Sequence, residues 1–367
     1  MIEPAVAAGH PATADAGAAI LAEGGSAADA AIAACLASCV AETVMTGLLG
    51  GGHALWFDAA TGRARLLDCF VAVPSGNGAP MEQLSVPFGE ELVHYAIGAS
   101  SCAVPGLPAG LETLWRTHGR LPWALLVEPA LALARAGIAM PPAHVACLRM
   151  LEPVMTMREG ARIYAPGGAL LADGDRLEQP GLVRALELVR DEGAASVYTG
   201  TIGRELVTLV AERDGVLTAE DLAGYRAEWS VALETPFAGR HVLTRGGLSG
   251  VPEALGRLDP SGGNEALLAV LEEPPGPDGH TTNLTVVDAE GNACVLTTSL
   301  GLGSGDWLPG LDLHLNSMLG ETDLVRSPLR PGARMESMMA PATAVDRDGL
   351  ELALGAAGGT RLRTALV

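Results

Sequence analysis

Lysine is missing from this chain: all 23 of its basic residues are arginine. Without a lysine amine there is no Schiff-base nucleophile, no phosphate loop of the Walker type and no Ser-x-x-Lys acylase dyad. Paired-cysteine and histidine motifs are absent too. The six cysteines, Cys35, Cys39, Cys69, Cys102, Cys147 and Cys294, include no Cys-x-x-Cys pair and no partnering histidine at zinc-finger spacing, and the eight histidines include no His-Glu-x-x-His. They read as buried thiols; Cys35 and Cys39 share a helix face, but nothing nearby supplies further metal ligands. No basic stretch leads into an apolar run at the N-terminus, and apolar runs such as 30–40 are too short to span a bilayer. The expectation is a cytoplasmic protein without a membrane span. Positive charge is also scarce: 23 basic against 43 acidic residues leave a formal charge of −20, spread along the chain, which argues against nucleic acid or anionic membrane as a partner and for a small molecule.

What is present is apolar material, 49% of residues with a mean hydropathy of +0.29, enough for a large core of one or two domains. From Pro11 the pattern predicts helix, a Gly24-Gly25 break, and a second, alanine-rich helix with Ser26 as N-cap. Gly50-Gly51-Gly52 leads into a predicted hairpin of 53–58 and 63–71; lacking a Gly-x-Gly-x-x-Gly order and a lysine, the triple glycine reads as a close backbone approach. Further helices are predicted at 111–118, 123–136, 182–192, 202–213 and 218–225, the last opened by Thr218 and Asp221 at capping-box spacing. The stretch 246–279 is rich in Gly, Pro and acidic residues around one short helix, 265–272, and reads as an exposed connection. Two hairpins follow, 284–288 with 293–299 and 342–346 with 350–354. Helices before the connection and strands around and after it predict an α+β fold, with helical layers on sheets.

At the end of the acidic connection, Gly279-His280-Thr281-Thr282-Asn283 sets a hydroxyl residue between a loop and a buried strand. If the His280–Thr281 peptide is cut, Thr281 gains an α-amine whose ordinary pKa is about 7.7–8, able to take the proton of its own hydroxyl. One residue then serves as nucleophile and base. A Thr-Thr pair opening a strand is by itself ordinary strand composition.

The surrounding motifs change that. Gly24-Gly25-Ser26-Ala27-Ala28-Asp29-Ala30-Ala31, the glycines at 50–52, Val104-Pro105-Gly106, Gly119-Arg120-Leu121-Pro122-Trp123, Pro129-Ala130, 217–222 and Tyr225 resemble landmarks of the gamma-glutamyltransferase family. The most specific is 281–292, Thr-Thr-Asn-Leu-Thr-Val-Val-Asp-Ala-Glu-Gly-Asn, similar to the family's Thr-Thr-His-x-Ser-Val-x-Asp-x-x-Gly-Asn. The resemblance, over almost the whole chain, implies a four-layer αββα sandwich of the N-terminal-nucleophile type, self-cleaved between His280 and Thr281. It makes residues 1–280 the large-subunit portion and 281–367 the start of the small one, which the family continues with further helices and strands. The two halves would stay together as a heterodimer. By the same resemblance Thr281 is the catalytic nucleophile, Ser299 bonds it, and Gly358 and Gly359 form the oxyanion hole. Glu321 and Asn316 lie in the segment that holds the donor's amino group, and Ser337 in the one that holds its carboxylate. No cofactor or metal is implied.

Several contacts depart from the family. The segment 68–76 lacks the Arg that grips the glutamyl carboxylate, Met338 replaces a second carboxylate-binding serine, and Gly301 replaces an Asn expected at the amine. A Pro-rich loop is replaced near 244–250, and the helical region before the nucleophile is shortened. The expected activity is gamma-glutamyl transfer and glutathione hydrolysis; an acylase of other specificity and a non-catalytic relative stand as alternatives.

Overall fold

The computed structural model describes residues 2–88, 91–271, 281–325, 328–357 and 365–367. Its centre is an antiparallel six-stranded sheet. In chain order its strands are β1 (Ala5–Ala8), β2 (Gly51–Asp58), β3 (Arg63–Cys69), β4 (Glu228–Val231), β5 (Thr282–Val287) and β6 (Ala293–Ser299); in space the order is β1-β5-β6-β2-β3-β4. The neighbouring strands β5 and β6 thus come from after the acidic connection and lie between β1 and β2, from before it. A four-stranded antiparallel sheet is built from Leu233–Phe237, Arg240–Thr244, Ala342–Asp346 and Gly349–Leu354, and it too mixes both parts of the chain.

Alternation along β5 and β6 sorts their side chains to two faces. On one face Leu284, Val286, Cys294 and Leu296 pack against helices, chiefly α1 (Pro11–Ala22), α2 (Ala27–Ala41), α3 (Leu107–His118) and α4 (Trp123–Ala136). On the other, Leu55, Phe57, Leu66, Ala293 and Val295 meet Leu243, Val345 and Leu350 of the second sheet. Every residue of α2 is buried, and its many alanines let it lie close to its neighbours. It starts where expected: Ser26 and Asp29 form a reciprocal capping box, and Asp288 Oδ2, in the turn between β5 and β6, accepts from the N–H of Ala27. That bond ties the helix start to a turn 261 residues away.

The predicted elements are present within a few residues, and Thr218 and Asp221 form the expected capping box. One segment differs. Part of the predicted connection, Val251–Arg257, is a helix with Val251, Ala254 and Leu255 buried against the outer face of the four-stranded sheet. Its apolar residues fall on one helical side, and burial overrides the Gly- and Pro-rich composition around them. The hairpin Glu82–Phe88 with Glu91–Ile97 and the helix Pro142–Met155, which sequence patterning did not single out, form a second core with Val86, Tyr95, Leu148 and Trp307. Among the described residues all six cysteines are free thiols. Of the described helices, none is long and apolar enough to cross a membrane.

Candidate active site

The site lies where β5, β6, β2 and β3 end together. Their register pairs Thr282 with Thr298, Thr298 with Gly52, and Gly52 with Cys69. One residue further out, the row runs Thr281, Ser299, Gly51, with Ser299 and Gly51 paired directly. The register therefore brings Thr281 and Ser299 together on adjacent strands, about 5 Å apart. Thr281 is 7% exposed, so its hydroxyl is within the protein and not on an open loop. The Ser299 hydroxyl accepts from the N–H of Gly301 at 3.0 Å.

The triple glycine makes this row possible. A Cβ on Gly50 would stand 2.3 Å from the Ser299 carbonyl, and one on Gly52 2.4 Å from that of Thr297. Both are closer than any side chain tolerates, so the glycines serve the close backbone approach expected of them. A Cβ on Gly51 would likewise stand 2.8 Å from Val71 N and 3.0 Å from the Cys69 carbonyl, so the backbone of 69–71 closes over the row.

On the helix side, Thr282 donates to Glu42, and Glu42 also accepts from Thr13 at 2.7 Å. Burial raises the Glu42 pKa, and these two hydroxyl donors only partly offset the rise. Thr46 and Thr298 hydrogen-bond beside them at 2.9 Å. A polar layer thus underlies β5, holding it in register. Glu42 was not found from sequence; a single acid after an alanine helix carries no signal.

Glu321 lies against Gly301, two residues beyond Ser299. It accepts from the Leu302 N–H at 3.2 Å and the Ser317 hydroxyl at 3.3 Å, and desolvation raises its pKa to about 7. Gly301 explains its position: a Cβ there would stand 2.6 Å from Glu321 Oε1, and the backbone, at φ +67°, is in the left-handed region. The residue that departs from the family pattern is what lets this carboxylate approach the backbone.

Asn316 requires a correction. It is fully buried, with Oδ1 accepting from Ala103 N (2.9 Å) and Met318 N (3.2 Å) and Nδ2 donating to Leu49 O and Ala103 O (both 2.9 Å). An amide with all four of these bonds made has nothing left for a substrate. Its place is structural: it pins the 49 and 103 segments beneath the loop that carries Glu321.

Ser337 is buried, its hydroxyl accepting from Met339 N at 3.2 Å and its carbonyl accepting from Arg245 Nη1 at 2.6 Å. Arg245 Nη1 also donates to Met339 O at 3.1 Å. This arginine, from the end of Arg240–Thr244, is mostly buried, and sequence reading marked its segment only as a departure. From the 68–76 segment, which lacks the expected arginine, Phe70 stacks on His53 at 5.6 Å between ring centroids. His53 is buried, and desolvation, helped by Arg245 and Arg334, holds its pKa well below the usual value, so the ring is neutral at pH 7. His280, Gly358 and Gly359 lie outside the described residues.

Facing sheets with helices outside, and hydroxyl residues gathered where the central strands end, are features of amide hydrolases and acyltransferases of the N-terminal-nucleophile type. The chain belongs to the gamma-glutamyltranspeptidase family, whose model matches residues 13–255 and 261–367. It is 29% identical to glutathione hydrolase proenzyme 1 of Schizosaccharomyces pombe over 96% of its length and 68% of that protein's. It is also 29% identical to the acylase ACY 1 proenzyme of a Pseudomonas species, over 96% of its own length and 76% of the other. The cephalosporin acylase of Bacillus halodurans has the same fold, with a TM-score of 0.73 at 21% identity, covering 97% of this chain and 78% of that one. The chain is accordingly an enzyme with transferase and hydrolase activity.

Proposed function

We propose that this chain is a proenzyme that cuts itself between His280 and Thr281 and then works as a gamma-glutamyltransferase and glutathione hydrolase. The observation that carries the reading is the buried Thr281–Ser299 row at the end of two central strands. The Thr281 hydroxyl attacks the gamma-amide carbonyl while its freed α-amine, with an ordinary pKa of about 7.7–8, takes the proton. That proton passes to the departing amine, and water or an amine acceptor then releases the acyl group from Thr281. Gly358 and Gly359 are assigned the oxyanion, Glu321 the donor's amino group, and Ser337 its carboxylate. Residues 1–280 and 281–367 form one composite αββα domain of four layers, the thin outer layer including Val251–Arg257. Cleavage leaves both sheets assembled from both pieces, so the product is a heterodimer.

Intact mass after incubation at neutral pH, with Thr281→Ala alongside, tests the self-cleavage. Two fragments dividing at His280–Thr281, absent in the variant, are expected; a single uncut mass in both refutes it. The second reading, an acylase of different acyl preference, is favoured by one observation: apolar Phe70 in the segment where the resemblance calls for a carboxylate-binding arginine. Faster hydrolysis of simple acyl anilides than of gamma-glutamyl anilide would select it.

A further inference from the structure

Two arginines lie near His53, and their surroundings differ. Arg334 is fully engaged: it donates to Phe70 O and Arg226 O, pairs with Asp68 at 3.3 Å, and stacks over Tyr225. Arg245 is anchored by one nitrogen only, Nη1, on two backbone carbonyls. Among the described residues no carboxylate lies within ion-pair distance of it, and Nε and Nη2 have no acceptor. Asp68 and Glu336 act on it only from beyond ion-pair distance, and a mostly buried cation so weakly compensated is costly unless a ligand supplies a closer charge. Beside it, His53 Nε2 is buried with no hydrogen-bond partner among the described residues, while Nδ1 is 3.7 Å from Asp68, too far for a hydrogen bond.

We propose that Arg245, with His53 beside it, is the carboxylate-binding and specificity-determining element of the donor site, supplied from the second sheet in place of the arginine absent from 68–76. The inference deepens the proposed function and rests on Thr281 as the acyl-accepting residue. Position supports it. His53 lies on the same sheet face as Thr281, two strands over and two residues further along, or about 12 Å away at the usual strand and residue spacings. A charge-assisted hydrogen bond of about 2.8 Å to a carboxylate at the far end of a bound acyl group would anchor it there. Ser337 stands at the same end, its carbonyl already on Arg245 and its hydroxyl free to donate. The substrate class is therefore an amide whose acyl group carries a second, terminal carboxylate.

The test is equilibrium binding of glutaramate, which carries both amide and carboxylate, against pentanamide, which lacks the carboxylate. It uses the full chain and the Arg245→Met and Arg245→Lys variants. The wild type should prefer glutaramate at least 30-fold, Arg245→Met should bring the two ligands within about twofold, and Arg245→Lys should restore part of the preference. Pentanamide binding and the mass pattern at Thr281 should stay as in the wild type, which separates ligand binding from a folding defect. A glutaramate preference that survives in Arg245→Met, or is absent in the wild type, overturns the proposal. Because binding needs no turnover, an uncut chain would count against the nucleophile reading alone, while the ligand preference still decides the role of Arg245.

Discussion

Replacing Asn316 by alanine separates a ligand-binding residue from a structural one. The substitution removes four hydrogen bonds to the backbone and leaves Leu49 O, Ala103 N and O, and Met318 N facing a cavity. A net hydrogen bond contributes about 1 kcal/mol, and an orphaned buried group costs about 1–3 kcal/mol. Three of the four are short, at 2.9 Å, so the loss should be at least about 3 kcal/mol. A ceiling near 5 kcal/mol applies because water can enter and re-pair some of these groups. That is a large part of the 5–15 kcal/mol typical of a folded protein. The measurement is urea denaturation in a Thr281→Ala background, where the chain should remain uncut and unfolding involves one molecule. The midpoint should fall with an unchanged slope. A loss under about 1 kcal/mol, together with a more than tenfold rise in KM for gamma-glutamyl anilide in the processed single variant, would refute the structural role and return Asn316 to the substrate.

Gly52→Ala should be equally severe, since its Cβ would overlap the Thr297 carbonyl at 2.4 Å; Gly62→Ala, at φ +64° with nothing within 4 Å, should cost only about 1 kcal/mol, and denaturation midpoints would compare them. Glu321 gives a pH signature: its pKa rises from 4.5 to about 7 in the folded protein, so the native state holds a proton that the unfolded state releases. Its protonated form is favoured by folding, and stability falls as pH rises from 4.5 through 7, by at most about 3 kcal/mol. Glu321→Gln should flatten that part of the stability–pH curve; an unchanged slope would count against the buried-acid account. Ser299→Ala should slow self-cleavage at Thr281 at least tenfold, read by fragment mass against time, with no comparable change in melting temperature.

Much of this was legible in the chain. Local chemistry specifies local structure: Ser26 and the pair Thr218 with Asp221 announced helix starts, a turn between two apolar runs announced β5 and β6, and three successive glycines announced backbones in contact. The 281–292 motif pointed to Thr281 as the candidate nucleophile because its residues are contiguous. Contacts assembled from distant segments left no such trace. Glu42 meets Thr282 across 240 residues, and Arg245 reaches the Ser337 carbonyl across 92; in sequence one is an isolated acid and the other an arginine in a glycine-rich loop. Asn316 shows the converse. Its position in a familiar segment suggested a ligand, but an amide's role depends on which of its bonds are already made, and only the folded backbone decided that. The sequence alone determined most of the elements, the family and the place of Thr281 at the start of a buried strand. The tertiary structure decided which carboxylates are buried, which arginine keeps an unused edge, and which polar side chains remain free to meet a substrate, because burial and hydrogen-bond saturation are properties of the assembled neighbourhood.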